Sequence, residues 1–232
     1  MFINKLSLLV FIYMAFISNA YAEETWKIAS LSWPPYSGSE LADQGHSIKK
    51  LTELLKKENI TLIVEFYPWQ RAKYLVQTDP EYLGIFPAWP EDVFKHALIS
   101  PAIDWSEIAV LKLPQQTLKF DSIDQLFKEH PVGVVSTYIY PKVFDDAIKK
   151  YPHHVEFAPN EFSLLMKLSS GRGLAAITDP KVMRHLAEEE GIENLEAIFV
   201  MRKELVLAFR DDEENRRRLK ILTQLLKNSG DG

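Results

Sequence analysis

The sequence predicts an α/β protein in which mainly parallel β-strands carry helices on both faces. Three observations predict it. Runs rich in β-branched and aromatic residues alternate with amphipathic helical stripes along nearly the whole chain. Proline, glycine, aspartate and asparagine mark the joins between them. Cysteine is absent, so no disulfide or thiolate metal site can stand in for an apolar core, and 47% hydrophobic residues supply that core. Strand–helix alternation builds parallel sheets, and such sheets bind ligands beyond the carboxyl ends of their strands.

The first residues read as an export signal. Lys5 supplies a positive start, Leu6 to Ile17 an apolar run, and Ala20-Tyr21-Ala22 the small residues that a signal peptidase reads. Cleavage after Ala22 is expected, which places the mature protein in the periplasm. The run is too short to span a membrane comfortably. The signal contains one charged residue, Lys5, so its removal leaves a chain more acidic than the full sequence at −5. That balance argues against nucleic acid or an anionic membrane as a partner.

The elements then follow in order. Trp26 to Leu31 reads as a strand and runs into the turn Trp33-Pro34-Pro35-Tyr36-Ser37-Gly38. Ile48, Leu51, Leu54 and Leu55 make a helical stripe, and Thr61 to Tyr67 is a strand. A helix should start after Pro68, with strands at Tyr82–Phe86 and Glu107–Leu113. Asp121 can cap a helix carrying Ile123, Leu126 and Phe127, and Val132–Val135 is a buried-type strand. Pro141 opens a helix, His154–Ala158 is a strand, and Asn160 caps the helix of Leu164, Leu165 and Leu168, which Gly171 stops. Leu174–Thr178 is a strand, and Asp179-Pro180 is an N-cap followed by proline at the first helical position. Strands at Glu196–Val200 and Leu205–Phe209 and a helix from about Asp212 to Lys227 complete the chain.

Much chemistry is missing. There is no G-x-S-x-G elbow, no phosphate-cradling glycine loop and no H-E-x-x-H. His153 and His154 are adjacent, which in a strand sends them to opposite faces, and Arg216-Arg217-Arg218 reads as a solvated helix face. No catalytic residue, metal or cofactor is expected. The aromatics are more informative. Trp33, Trp69 and Trp89 each stand beside proline at a strand-to-helix join, where three rings can share one pocket or each fill a gap between helix and sheet. Asp179 caps its helix and can also meet a ligand ammonium. Arg71 lies in a first helical turn, where a cation opposes the helix dipole, which hints at an acid or an anionic ligand group beside it. Tyr36 and Tyr138, at the ends of two strands, complete the candidate ligand-binding set.

The order of these pieces resembles the family 3 bacterial solute-binding proteins, which serve polar amino acid ABC transporters. The matching pieces are Ser32-Trp33-Pro34-Pro35-Tyr36, Gly45 to Leu55, Pro68-Trp69-Gln70-Arg71-Ala72, Gly84-Ile85-Phe86-Pro87-Ala88, Ile99-Ser100-Pro101, Val132-Gly133-Val134 and the stretch from Gly171 to Asp179. The resemblance implies a two-lobed type II periplasmic binding fold with two crossings. Lobe 1 would hold residues 23–112 completed by 203–232, and lobe 2 residues 113–202. It also implies aromatics at Trp33 and Trp69 flanking a small-molecule ligand, Asp179 meeting the ligand's ammonium, and an inner-membrane ABC permease or sensor reading a monomer's closed shape. Two departures are plain: Asp92 stands where the family has its carboxylate-clamping arginine, and Leu174 replaces an acid. Asp92 would repel a carboxylate, so an amine-bearing or amino-acid-like ligand is expected, with amines outranking simple anions unless Arg71 restores an anion site from another direction. The same fold hosts periplasmic dehydratases of cyclic acids, which would need a carboxylate acid/base and cationic clamps.

Overall fold

The computed structural model describes residues 24–170 and 174–230. The export signal and the Gly171-Arg172-Gly173 stretch lie outside the described residues. The predicted alternation is what forms. β1 (Glu24–Ser30), α1 (His46–Lys56), β2 (Ile60–Phe66), α2 (Trp69–Thr78), β3 (Gly84–Ala88), β4 (Leu98–Ile99) and β5 (Asp104–Lys112) come first. Then follow α3 (Ile123–Glu129), β6 (Val132–Val135), α4 (Lys142–Lys150), β7 (Val155–Ala158), α5 (Glu161–Ser169), β8 (Ala175–Thr178), α6 (Pro180–Glu189), β9 (Glu196–Phe209) and α7 (Glu213–Ser229).

The strands order as β2-β1-β3-β9-β5-β8-β6-β7, with β4 on the far side of β9. At one end β1 pairs parallel with β2 and β3, and at the other β6 pairs parallel with β7 and β8. Between them β5 and β9 run antiparallel, from Asp104 opposite Leu205 to Lys112 opposite Glu196. Only the last residues of β9 meet β3 and β4, and only Ala109 to Leu111 of β5 meet β8. Two half-sheets, one per lobe, are thus joined by a two-stranded crossing. The mainly parallel pairing that alternation suggests holds within each half and gives way where the long strands traverse. Helices α1 and α2 pack on β2 and β1 with α7 against α1, and α5 packs on β6, β7 and β8 with α6 beside it.

Four local expectations change. The strands expected at Glu196–Val200 and Leu205–Phe209 are one, because Met201 to Glu204 keep the ladder with β5 although Arg202, Lys203 and Glu204 break the apolar pattern. Arg202 lays its guanidinium 3.8 Å from the Trp105 ring centroid there. The α3 cap is Ser122, whose Oγ accepts from the Gln125 N–H, one residue later than Asp121. His153 and His154 sit in a 3-10 turn, Pro152–His154, before β7 rather than in it. Asn160 and Asp179 cap their helices as expected, and Asp212 caps α7. The three arginines of α7 are not merely solvated, since Arg217 and Arg218 both reach Glu24 on β1.

The loop after β1 depends on one glycine. Gly45 has φ +100°, and a Cβ there would stand 2.4 Å from the Tyr36 carbonyl oxygen. That closeness lets the His46 and Ser47 N–H groups donate to the Pro35 and Tyr36 carbonyls. Gly45→Ala is expected to cost about 1–3 kcal/mol of stability, from the left-handed backbone and the backbone clash. Denaturant unfolding measures it, and an unchanged midpoint would show that the loop does not need the close approach.

Candidate functional site

The loops at the strand ends bring the expected aromatics together. After β1, the Trp33 N–H donates to Ser37 O at 2.7 Å, closing a tight turn that directs Trp33 and Tyr36 toward the second lobe. Pro68 ends the β2 segment and Trp69 opens α2 on its buried side, with Ala72, Lys73 and Val76. Trp89 follows β3. Trp33 stacks on Tyr36 with centroids 4.6 Å apart and meets Trp89 edge-on at 5.9 Å, and Trp89 meets Tyr138 at 5.7 Å. Such pairings add to the area these rings bury.

Two spaces that share part of their lining lie among these rings. A small recess of about 20 Å³, room for about one water, is lined by Trp33, Trp69, Trp89, Asp92 and Tyr138 among others. A larger cleft of about 450 Å³ lies between the lobes, within the range of small-molecule sites. Tyr67, Trp69 and Gln70 wall it from one lobe and Thr137, Tyr138, Asn160 and Glu161 from the other. Leu31, Trp69 and Tyr138 line both.

The lobes are latched across this cleft by side chains. Trp33 Nε1 donates to Glu161 Oε1 at 2.8 Å, Tyr36 Oη to Asp179 Oδ2 at 2.9 Å, and Gln70 Nε2 to the Thr137 carbonyl at 2.7 Å. Tyr138 adds its hydroxyl to the same Glu161 oxygen. Each buried polar group thus gains a partner, without which burial would be costly.

Three carboxylates are buried here, in three electrostatic situations. Asp92 accepts from Trp69 Nε1 at 2.7 Å and from Lys73 Nζ at 2.6 Å. Its charge is therefore compensated, and the repulsion of anions expected from Asp92 alone is offset by a lysine that sequence reasoning passed over. Asp179 is fully buried with four donors: Lys181 and Val182 N–H on Oδ1, Tyr36 Oη and Glu107 N–H on Oδ2. It lines neither space, and its Oδ2 takes the Tyr36 hydroxyl from the other lobe. Glu161 is also buried and lines the cleft. Burial pushes its carboxyl above the usual range, with Asp179 adding a like charge. Burial and the neighbouring Glu161 push the Tyr138 phenol up as well.

Of the residues picked from sequence, Trp33, Trp69, Trp89 and Tyr138 meet at the two spaces, and Tyr36 supports Trp33 from behind. Arg71 is exposed, with its guanidinium 5.2 Å from the Tyr67 ring centroid, and lines neither space. Among the described residues no lysine, arginine or histidine lines the cleft or the recess, and no group of acids, histidines and cysteines is arranged to hold a metal ion. Nor is any helix among them long and apolar enough to cross a membrane.

No protein-family model matches the chain. No curated protein matches it in sequence. Solved structures do match its shape. An ancestral arginine-binding protein bound to arginine aligns over 89% of this chain and 92% of its own, with a TM-score of 0.71 at 15% identity. A histidine kinase sensor domain with similarity to periplasmic binding proteins aligns over 90% and 93%, with a TM-score of 0.71 at 12% identity. An ancestral amino-acid-binding protein, a precursor of cyclohexadienyl dehydratase, aligns over 89% and 90%, with a TM-score of 0.66 at 16% identity. These likenesses establish the fold, that of the two-lobed type II periplasmic binding proteins.

Proposed function

We propose that this chain is a periplasmic solute-binding protein that holds a small polar molecule between its lobes and performs no chemistry on it. The observation that carries this reading is the interlobe cleft of about 450 Å³ with aromatic walls, a buried carboxylate and no lining cation. Such a cleft suits a neutral or amine-bearing solute, because an anion would lose its hydration with no positive partner to replace it. Residues 1–22 would be removed on export. Residues 23–112 with 203–232, and 113–202, would move as lobes about the paired strands β5 and β9. Ligand bridging the lobes favours the closed form, which an ABC permease or a membrane sensor would read. A dehydratase of cyclic acids fits less well, since the cationic clamps it needs are not among the lining residues.

A thermal-shift screen of the mature protein against amino acids, polyamines, other amines and small sugars tests it. At least one compound should stabilise the chain and quench tryptophan fluorescence. Trp69→Ala should weaken that compound's binding by about 1–3 kcal/mol, the scale of an aromatic contact and its buried area. Undiminished affinity in a folded Trp69→Ala protein would remove the ligand from this cleft.

A further inference from the structure

Resting on the solute-binding reading, we infer that Glu161, rather than Asp179, is the counter-ion of the ligand, and that the ligand carries an N–H-bearing cation, an ammonium or amidinium, beside Trp69 and Tyr138.

The three buried carboxylates separate on what surrounds them. Asp92 has its lysine and Asp179 its four donors, two of them at a helix N-terminus. Glu161 is 6% exposed, and among the described residues no lysine, arginine or histidine comes within ion-pair distance of it. Its donors are neutral: its own backbone N–H and three side chains that all fall on one oxygen, Trp33 Nε1 at 2.8 Å, Thr178 Oγ1 at 3.5 Å and the Tyr138 hydroxyl on Oε1. Helix capping does not account for it, because Asn160 already caps α5 through the Ser163 N–H at 2.8 Å.

A buried carboxylate without a cation is expensive to keep, and this one lines the open space between the lobes. A cation entering the cleft would supply what the fold withholds. The Trp33 and Tyr138 donors hold Oε1 in place, which presets the acceptor, and a carboxylate rewards N–H groups over a bare positive charge. The aromatic rings nearby favour the same sign of charge through their faces.

The test titrates the mature wild-type and E161Q proteins with putrescine, agmatine, tyramine and arginine, with glutamate and glucose as anionic and neutral probes. At least one cation should bind the wild type, and E161Q should bind it at least tenfold more weakly. Empty E161Q should melt no lower than the wild type, because glutamine keeps an acceptor for Trp33 and Tyr138 and removes the unpaired charge. On the wild type alone, the N-permethylated form of the bound cation should bind at least tenfold more weakly, which keeps the test intact whatever E161Q does. Equal affinity in folded E161Q, or equal binding of the permethylated cation, would overturn the assignment and leave solute binding standing. Binding of glutamate or glucose alone would do the same. Binding of none of these probes, nor of any compound in the wider screen, would remove both readings.

Discussion

Replacing Lys73 with methionine is expected to destabilise the protein by about 3–5 kcal/mol, because it strands a buried carboxylate. Lys73 and Asp92 side chains are 8% and 4% exposed and lie 2.6 Å apart. Methionine keeps the length of the lysine stem but leaves Asp92 with the Trp69 indole N–H as its remaining side-chain donor. The loss should depend on pH in a defined direction. Without the ammonium, burial raises the Asp92 carboxyl further above the 3.8 of a free side chain. The native state then binds more protons than the unfolded state in the window above that value, so stability falls as pH rises through it. The penalty should therefore be full at neutral pH and shrink toward pH 4. The double variant Lys73→Met/Asp92→Leu should recover most of the stability, since an apolar pair of similar volume can replace a buried ion pair. Denaturant unfolding of the two proteins at several pH values measures all of this. A single variant that loses under about 1 kcal/mol at neutral pH would show that the pair is hydrated and not buried. The consequence reaches the site, because Asp92 fixes the Trp69 indole that walls the cleft.

What the sequence revealed and what it hid divide along the range of the interactions. Local signals were legible. Asp179 before Pro180, Asn160 before an apolar stripe and the proline-flanked tryptophans each declare themselves within a few residues, and each sits where those signals put it. The three tryptophans at equivalent strand ends did converge on one recess. What depended on partners far along the chain was not legible. Tyr36 reaches Asp179 across 143 positions and Trp33 reaches Glu161 across 128, so a cap that looked free to meet a ligand is already engaged. Lys73 had a readable clue, since it falls on the same helical stripe as Trp69, Ala72 and Val76, where a lysine needs a buried acid. Glu161 had none, because an acid in the first turn of a helix is ordinary and explains itself through the dipole. Arg71 was singled out for opposing that dipole, and its company turned out to be the Tyr67 ring.

Asp179→Ala should cost about 3–5 kcal/mol, well beyond the loss of about 1 kcal/mol expected for a helix cap alone. Alanine would take away the acceptor of four donors at once. The Lys181 and Val182 N–H groups lose their cap, while the Tyr36 hydroxyl and the Glu107 N–H lose a partner at the lobe junction. Orphaned buried donors cost about 1–3 kcal/mol each. Asp179→Asn separates the two roles. Asparagine still caps a helix, so on the cap alone the melting temperature would barely move. In this structure its NH2 must face either the helix N–H pair or the Glu107 N–H, and two donors cannot satisfy each other. A loss of about 1–3 kcal/mol follows, with Tyr36→Phe costing less because it removes a single bond. For a chain of this length each kcal/mol lowers the melting temperature by about 2–4 °C. Because Tyr36 and Asp179 belong to different lobes, both variants should also shift the empty protein toward open forms, visible as a larger radius of gyration in solution scattering. Ligand affinity would then fall through the smaller closed fraction rather than through a lost contact. An Asp179→Asn protein with the melting temperature and radius of the wild type would show that Asp179 is only a cap, and would free its carboxylate for the ligand after all.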